Sequence, residues 1–278
     1  MNKGLERISI STVRVFLVFL FTFVSLSFSN SNVSADEFSL EPTLSADGSM
    51  LYHGAPTLVL RADENTQANS EPAQTDDSGE LSKASQDAAN FTIAFMAPGA
   101  VDQWGRTCVK FGEYEKSAVK KGAAIWAVQL QLNVPVTLQV CLSDFGSNEL
   151  LGVGGGGTLV RDFSGAPLTN TWYASSLANN LHGSDLDPEN FDISITLNTQ
   201  VNWYLGVDGL PTATAYDMPT VVAKQIAHGL NFLGSAQFTG SEYLYGMDGS
   251  PDVYDTFMEA VDGSKLTSLG SPSTELET

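Results

Sequence analysis

The stretch that decides the fold lies between Asp217 and Leu233 and reads DMPTVVAKQIAHGLNFL. It predicts a helix from Met218 to Leu233. Asp217 is placed to cap the first turn, because its side chain can accept a hydrogen bond from a backbone N–H that has no partner within the helix. Pro219 is tolerated in that turn, where its missing N–H is not needed. The helix is therefore expected to begin at a capped, well-defined residue.

Upstream of this helix, the sequence predicts strands that alternate with helices. Phe91–Phe95 alternates as a strand does, Tyr114–Leu132 carries apolar residues close to helical spacing, and Val134–Leu142 is rich in strand-forming residues. A strand, a helix and a strand in this order suggest a βαβ unit with parallel strands. Thr171–Leu181 is predicted as a further helix and Asp192–Leu197 as a further strand. The predicted fold class is therefore mixed α/β.

A glycine-rich run follows the second of these strands. Gly152, Gly154 and Gly157 satisfy the pattern G-x-G-x-x-G, which binds nucleotide phosphates when a strand precedes it and a helix follows it. Here the next residues, Thr158–Phe163, have the composition of a strand or an extended segment. We therefore interpret the run as a flexible glycine loop and not as a dinucleotide site.

The first 89 residues predict an export signal, an arm and a linker. Residues 1–35 combine a basic start, an apolar run and a small-x-small cleavage site before Asp36, as a secretory signal peptide does. An uncleaved membrane anchor is the alternative, but the apolar run is shorter than the roughly 20 residues that span a bilayer. Residues 36–62 are either a weakly ordered arm or a strand donated to the domain, and residues 63–89 have the polar composition of a disordered linker. The folded domain is predicted over residues 90–278.

The chain is strongly acidic, with 13 Lys and Arg against 32 Asp and Glu and a formal net charge of −19. Such a surface repels nucleic acid and anionic lipid. We therefore expect neither nucleic acid nor, after signal cleavage, a membrane as a partner, and we expect the protein to be secreted to the extracellular space or the periplasm.

The sequence contains two cysteines, Cys108 and Cys141. In an oxidising compartment, a pair within one domain is more often a disulfide than two free thiols. We therefore predict a Cys108–Cys141 disulfide.

Short motifs spread over the domain together resemble, in order, a family of secreted bacterial zinc metalloproteases of the zincin or metzincin type. These motifs are Ala124–Trp126, Val134–Val136, Arg161–Phe163, Thr171–Tyr173, Leu177–Asn179, Gly183–Leu186, Asp192–Ile193, Trp203–Gly209 and Asp217–Val222. The resemblance implies a zincin-like α+β fold, which has a mixed twisted sheet and an active-site helix. It also implies zinc-dependent endopeptidase chemistry at an H-E-x-x-H motif, followed in this family by G-L-G-F.

In this frame the chain has Lys224 and Gln225 in place of the first histidine and the glutamate, and only His228 remains. Two histidines four residues apart hold zinc, and the glutamate accepts a proton from the zinc-bound water. An ammonium has no lone pair for a metal, and a carboxamide does not take up a proton near neutral pH. Asn231 replaces the last glycine, which is a mild change because Asn tolerates a left-handed conformation. The catalytic positions are therefore degenerate, and His228 stands alone at a metal-ligand position that the resemblance implies.

Other metal sites receive little support from the sequence. The remaining histidines, His53 near the linker and His182 in a predicted loop, do not have a spacing that completes a zinc site with His228. A third zincin ligand lies downstream of the helix, and its carrier is expected to be missing if the C-terminus is truncated. Calcium is possible at acidic residues that lack EF-hand spacing, namely Asp185, Asp187, Glu189, Asp248, Asp252, Asp255 and Asp262. We expect no cofactor.

Three functions remain open at this stage. The first is a pseudoprotease that keeps a cleft for a peptide or protein ligand, in which Lys224 pairs with a peptide C-terminus from the helix face opposite the core. The second is an active metallopeptidase with a non-standard metal site. The third is a non-catalytic extracellular binding or structural protein.

Overall fold

A computed structural model describes residues 43–45, 47–53, 57–61, 90–238, 241–259 and 262–272. The predicted signal peptide and linker lie outside these ranges. Within them, no helix is long and apolar enough to cross a membrane.

The described chain mixes strands and helices, as predicted. The helices are α1 (Glu113–Ala127), α2 (Ser175–His182) and α3 (Met218–Gly229). The strands are β1 (Thr43–Leu44), β2 (Met50–His53), β3 (Thr57–Arg61), β4 (Phe91–Phe95), β5 (Val136–Ser143), β6 (Leu150–Gly156), β7 (Thr158–Arg161), β8 (Trp172–Ala174), β9 (Ile193–Asn198), β10 (Trp203–Tyr204), β11 (Tyr216–Asp217), β12 (Gln237–Phe238) and β13 (Tyr243–Leu244). Two short 3-10 turns follow at Asp255–Phe257 and Leu266–Ser268.

The largest sheet has five strands in the order β3-β6-β9-β5-β4. Strands β4, β5 and β9 are parallel, so the predicted βαβ unit of β4, α1 and β5 is confirmed. Every residue of the central strand β9 is buried, as is typical of a parallel strand covered on both faces. Strand β6 runs antiparallel to β9, and β3 runs antiparallel to β6.

The prediction of a flexible loop at the glycine-rich run is wrong, because Leu150–Gly156 forms the strand β6 inside this sheet. The glycines reflect close packing. A Cβ atom added to Gly154 would lie 2.8 Å from Oε1 of Gln225 on α3, and one added to Gly157 would lie 2.0 Å from the carbonyl oxygen of Phe191. These positions require glycine because neighbouring elements approach the backbone.

A second sheet has four antiparallel strands in the order β1-β2-β7-β8. The prediction of one helix over Thr171–Leu181 is wrong in its first part. Trp172–Ala174 pairs with β7 as strand β8, and its alternate side chains are buried in two apolar clusters, Trp172 and Ala174 in one and Tyr173 in the other. The helix α2 begins only at Ser175 and ends at His182, so this histidine closes a helix and does not lie in a loop.

The N-terminal arm takes part in both sheets. Met50–His53 pairs with Thr158–Arg161, and Thr57–Arg61 pairs with Leu150–Gly155. Of the two alternatives left open for residues 36–62, the described part of the arm therefore has the second, a strand donated to the domain.

Helix α3 begins as predicted. The side chain of Asp217 accepts a hydrogen bond from the backbone N–H of Thr220 at 3.0 Å, and Pro219 lies in the first turn. The helix ends at Gly229, earlier than the predicted Leu233, because Asn231 has a left-handed φ of 75° that turns the chain out of the helix.

The predicted disulfide between Cys108 and Cys141 is confirmed, and their Cα atoms are 5.4 Å apart. It joins the segment before α1 to the middle of β5.

Candidate functional site

Helix α3 lies against the large sheet and carries the three positions that the sequence singled out. It contacts β6 and β9 on the sheet and α1 beside it. The indole N–H of Trp126 on α1 donates to the carbonyl oxygen of Ala223 at 2.8 Å, which fixes the two helices together. The side chains of α3 are therefore held by a packed surrounding and not by a loop.

Gln225 stands where the family that the sequence resembles has its general base. It is completely buried, with 0% of its surface exposed. Its side chain packs on Gly154 of β6. Neither amide atom has a hydrogen-bond partner among the described residues. An unpaired amide in the interior costs about 1–3 kcal/mol, so this side chain is an unusual choice for a purely structural position.

His228, the remaining histidine of the motif, is also buried, with 7% of its surface exposed. Its Nδ1 atom has no hydrogen-bond partner in the described part of the chain. Burial lowers the pKa of His228 to about 3, and the charge of Lys224 lowers it in the same direction. The imidazole is therefore neutral over the whole physiological range.

Lys224 stands four residues before His228 and so lies on the same side of the helix. It is half-buried, which differs from the expected position on the face opposite the core. Because its charge acts on the imidazole of His228, the ammonium lies within electrostatic reach of the one metal-donor side chain of the motif.

These residues do not fit a zinc ion. Lys224 supplies a positive charge and no lone pair, while Gln225 turns its amide into the contact with β6. This leaves His228 as a single donor, whereas protein zinc sites use three or four ligands.

A hydrogen-bond network that the sequence did not indicate lies just beyond the helix. The side chain of Asn231 accepts from the backbone N–H of Ala174 at 2.5 Å and donates to the carboxylate of Asp252 at 2.7 Å. Asp252 also accepts from the N–H of Tyr254 at 2.9 Å. The carboxylate of Asp255 accepts from the backbone N–H groups of Ser235 and Asp252. The turn after α3 is thereby fastened to β8 and to the C-terminal segment.

Both carboxylates of this network are buried. Burial raises the pKa of Asp252 well above its usual value, and burial also raises that of Asp255. The hydrogen bonds that each carboxylate accepts act in the opposite direction. The sequence singled out Asn231 as the replacement for glycine at the helix end, but it did not indicate the side-chain partners, which come from distant segments.

A small cavity of about 10 Å³ lies between His228 and this network, with Asn231 and Asp252 among its lining residues. This volume corresponds to about one water molecule. The space beside the buried His228 is therefore too small for a peptide side chain.

Several of the acidic residues considered for calcium contact protein groups. Asp187 accepts from the hydroxyl of Thr158 at 2.6 Å, and Asp185 accepts from the N–H of Asp187 at 3.0 Å. Asp262 accepts from Ser264, and Asp248 lies 3.5 Å from the guanidinium of Arg161. Among the described residues, no group of three or more His, Cys, Asp or Glu side chains is placed to hold a metal ion.

The other two histidines contact separate parts of the molecule. The Nδ1 atom of His182 lies 2.9 Å from the carbonyl oxygen of Ser164, and that of His53 lies 3.1 Å from the hydroxyl of Thr158. Among the described residues, neither of these histidines forms a metal-binding group with His228.

The edge of the sheet next to α3 is covered by the N-terminal arm. Strand β3 pairs with β6 on the side away from β9 and also contacts α3. The helix that carries Lys224, Gln225 and His228 is therefore bordered by a strand from a remote part of the chain.

Comparisons with protein-family models, with curated proteins and with solved structures find no match for this chain.

Proposed function

We propose that this protein is an exported, zincin-like relative of bacterial zinc metalloproteases that has lost peptide hydrolysis and keeps a site for an extended peptide beside α3. The single observation that carries the loss of chemistry is the placement of Lys224, whose charge acts on His228 in the position where a zinc ion would need a first ligand.

The chemistry of the neighbouring side chain supports the same proposal. Gln225 is fully buried against Gly154, and a carboxamide does not serve as a proton acceptor near neutral pH. A general base and a metal ligand are thus both replaced by groups that cannot do their work.

The sheet edge beside α3 supports the peptide site. An edge strand presents unpaired backbone N–H and C=O groups, and an extended peptide can add to it through main-chain hydrogen bonds. Strand β6 would be such an edge without β3, the N-terminal segment that pairs with it in antiparallel register on the side away from β9.

The loss of catalysis is tested on the purified chain by metal analysis and by a casein-cleavage assay with and without a chelator. We expect no stoichiometric zinc and no chelator-sensitive cleavage. A Lys224→His, Gln225→Glu double variant is the matched comparison, and zinc uptake by this variant alone would show that the two side chains decide the matter. Chelator-sensitive cleavage by the natural chain would contradict the proposal.

Peptide binding is tested with labelled casein peptides at concentrations up to about 1 mM, the range in which a weak site is seen. Lys224→Ala is expected to weaken binding about tenfold, the effect of losing one contact to a charged group. Lys120→Ala, which removes an exposed lysine from α1, is the control and should change nothing.

A second candidate is a binding or structural protein in which the region around α3 has no ligand. The small volume of the cavity beside His228, about 10 Å³, favours it. Under this candidate, Lys224→Ala changes the stability of the fold and leaves casein-peptide binding at the level of the Lys120→Ala control.

A further inference from the structure

The N-terminal arm runs along the domain as a bound peptide would. Thr57 lies opposite Gly155, Leu58 opposite Gly154 and Val59 opposite Val153, in antiparallel register. Leu60 lies opposite Gly152, and a register shift follows before Arg61. The arm thus completes the outer edge of β6 through backbone pairing.

The same arm continues along the next strand of the domain. Met50–His53 pairs with Thr158–Arg161, so the two described parts of the arm, Met50–His53 and Thr57–Arg61, pair with consecutive strands, one in each sheet. The ring of Tyr52 packs edge-on against Trp172 with centroids 6.1 Å apart. This second contact anchors the arm outside the edge next to α3.

Side chains of the arm also enter the interior. Leu60 is 6% exposed and belongs to the core, whereas Leu44 in β1 of the same arm is 72% exposed. His53 places its Nδ1 atom 3.1 Å from the hydroxyl of Thr158. The arm is therefore held by apolar burial as well as by backbone pairing.

Covalently, the arm is joined to the domain through residues 62–89 alone. A tether of this kind holds the arm near its site at an effective concentration on the order of mM. If the tether were cut, the arm would bind as a separate peptide. The strand that pairs with β6 on its outer side is thus a tethered segment of the same chain.

We propose that the strand Thr57–Arg61 is the resident ligand of the peptide site beside α3, and that another extended peptide binds there only after this strand has left. The proposal rests on the proposed function for the existence of a peptide site and adds what fills it. The competing peptide would be extended, would run antiparallel to β6 and would carry apolar side chains. Proteolytic cleavage within residues 62–89 would convert the site from closed to exchangeable.

The experiment uses the full chain, folded and purified, with a site for a sequence-specific protease inserted between Gln74 and Thr75. The probe is a fluorescein-labelled peptide with the sequence of residues 55–62, APTLVLRA. Binding is followed by fluorescence anisotropy before and after cleavage. We expect an apparent affinity at least ~100-fold higher for the cleaved chain, because cleavage removes the effective concentration of the tethered arm. A probe with proline at the position of Val59 should not bind, because proline removes an N–H and distorts the strand.

A variant of the uncut chain gives an independent test. Leu60→Asp places a charge in the core contact of the arm and is expected to allow probe binding without cleavage. Leu44→Asp makes the same substitution at an exposed position of the same arm and should leave the site closed. Circular dichroism checks that both variants are folded, and the cleaved natural chain decides the question if Leu60→Asp is not.

Two outcomes would overturn the proposal. Equal probe binding before and after cleavage would mean that the arm does not occupy the binding edge. An arm that stays bound through size-exclusion chromatography after cleavage and does not exchange with the probe would mean that β3 is a permanent strand of the sheet.

Casein peptides separate this inference from the proposed function. If the cleaved chain binds the probe and no casein peptide, the arm is an exchangeable ligand but the general peptide site is refuted. If casein peptides bind equally well to cut and uncut chains, the peptide site stands and the occluding role of the arm is refuted.

Discussion

Two neighbouring groups of buried polar side chains differ in whether their polar atoms are hydrogen-bonded. One group is Gln225 and His228 on α3, and the other is Asn231 just beyond the helix. Both amide atoms of Gln225 and the Nδ1 atom of His228 have no hydrogen-bond partner in the described residues. The side chain of Asn231 uses its oxygen and its nitrogen, on Ala174 and on Asp252. The polar atoms of Asn231 therefore stabilise the fold, while the unpaired polar atoms of Gln225 and His228 lower its stability.

This contrast suggests that the two groups are kept for different reasons. A satisfied buried network rigidifies its surroundings, whereas an unpaired buried group persists against its cost. The Asn231 network has a structural role, and the residues on α3 are the ones whose presence the fold itself does not explain.

The largest effect is expected at the satisfied end. Asn231→Ala should lower the free energy of unfolding by about 3–4 kcal/mol. It removes the side-chain partner of the Ala174 N–H and one of the hydrogen bonds to the buried carboxylate of Asp252, and alanine tolerates a φ of 75° less well than asparagine. Urea unfolding measures this loss. Asn231→Gly tolerates the same φ and should recover about 1 kcal/mol of it. A loss below about 1 kcal/mol for the alanine variant would show that the network contributes little.

A smaller effect, visible through pH, is expected at His228. Its pKa of about 3 in the folded state lies below the usual 6.5, so the unfolded chain binds a proton that the folded chain refuses. Above pH 6.5 this histidine does not lower the free energy of unfolding. As the pH falls from 6.5 towards 3, the free energy of unfolding decreases, because the unfolded chain gains a proton that the folded chain does not bind. Between pH 6.5 and 5, the free energy of unfolding of the natural chain should fall by about 1.6 kcal/mol more than that of His228→Leu.

The control for this pH dependence is His182→Leu, which removes a partly exposed histidine at the end of α2. It should keep the pH dependence of the natural chain when unfolding is followed at each pH. Parallel curves for the natural chain and His228→Leu would mean that the imidazole is accessible to protons in the folded state.

The smallest effect is expected to have the opposite sign. Gln225→Met keeps the size of the side chain and removes the unpaired amide, so it should raise stability by about 1 kcal/mol. Thermal unfolding measures the shift, with Gln129→Met at an exposed position as the control. A destabilised variant would indicate that the amide of Gln225 is satisfied in solution, and the contrast with Asn231 would disappear.

The sequence predicted those parts of the fold that depend on local chemistry. The cap at Asp217, the parallel unit of β4, α1 and β5, and the Cys108–Cys141 disulfide follow from residue types and their order. Local signals of this kind need no knowledge of what lies across the core.

The failures share a tertiary cause. The run Gly152–Gly157 has no side-chain pattern that predicts a strand. Gly154 and Gly157 are glycines because α3 and Phe191 lie too close to the backbone for a side chain. Likewise, Trp172–Ala174 is a strand because β7 lies beside it. The partner of each segment is distant in sequence, so no local window contains the information.

For the candidate site, the sequence supplied the residue types and the resemblance supplied their roles. That Lys224 and Gln225 cannot replace a ligand and a base follows from their functional groups. The burial of Gln225 against Gly154 and the burial of His228 depend on how closely α3 approaches β6. That distance is set by packing and is not visible in the motif.

The pairing of the arm with β6 and β7 has a consequence for how the chain is made. Synthesis proceeds from the N-terminus, so Met50–Arg61 emerges long before its partner Leu150–Arg161 exists. During that interval the nascent arm is an apolar strand without a template, which is the kind of segment that associates with other chains. The arm cannot pair with both strands until the ribosome has passed Arg161, so the order of translation itself delays this pairing.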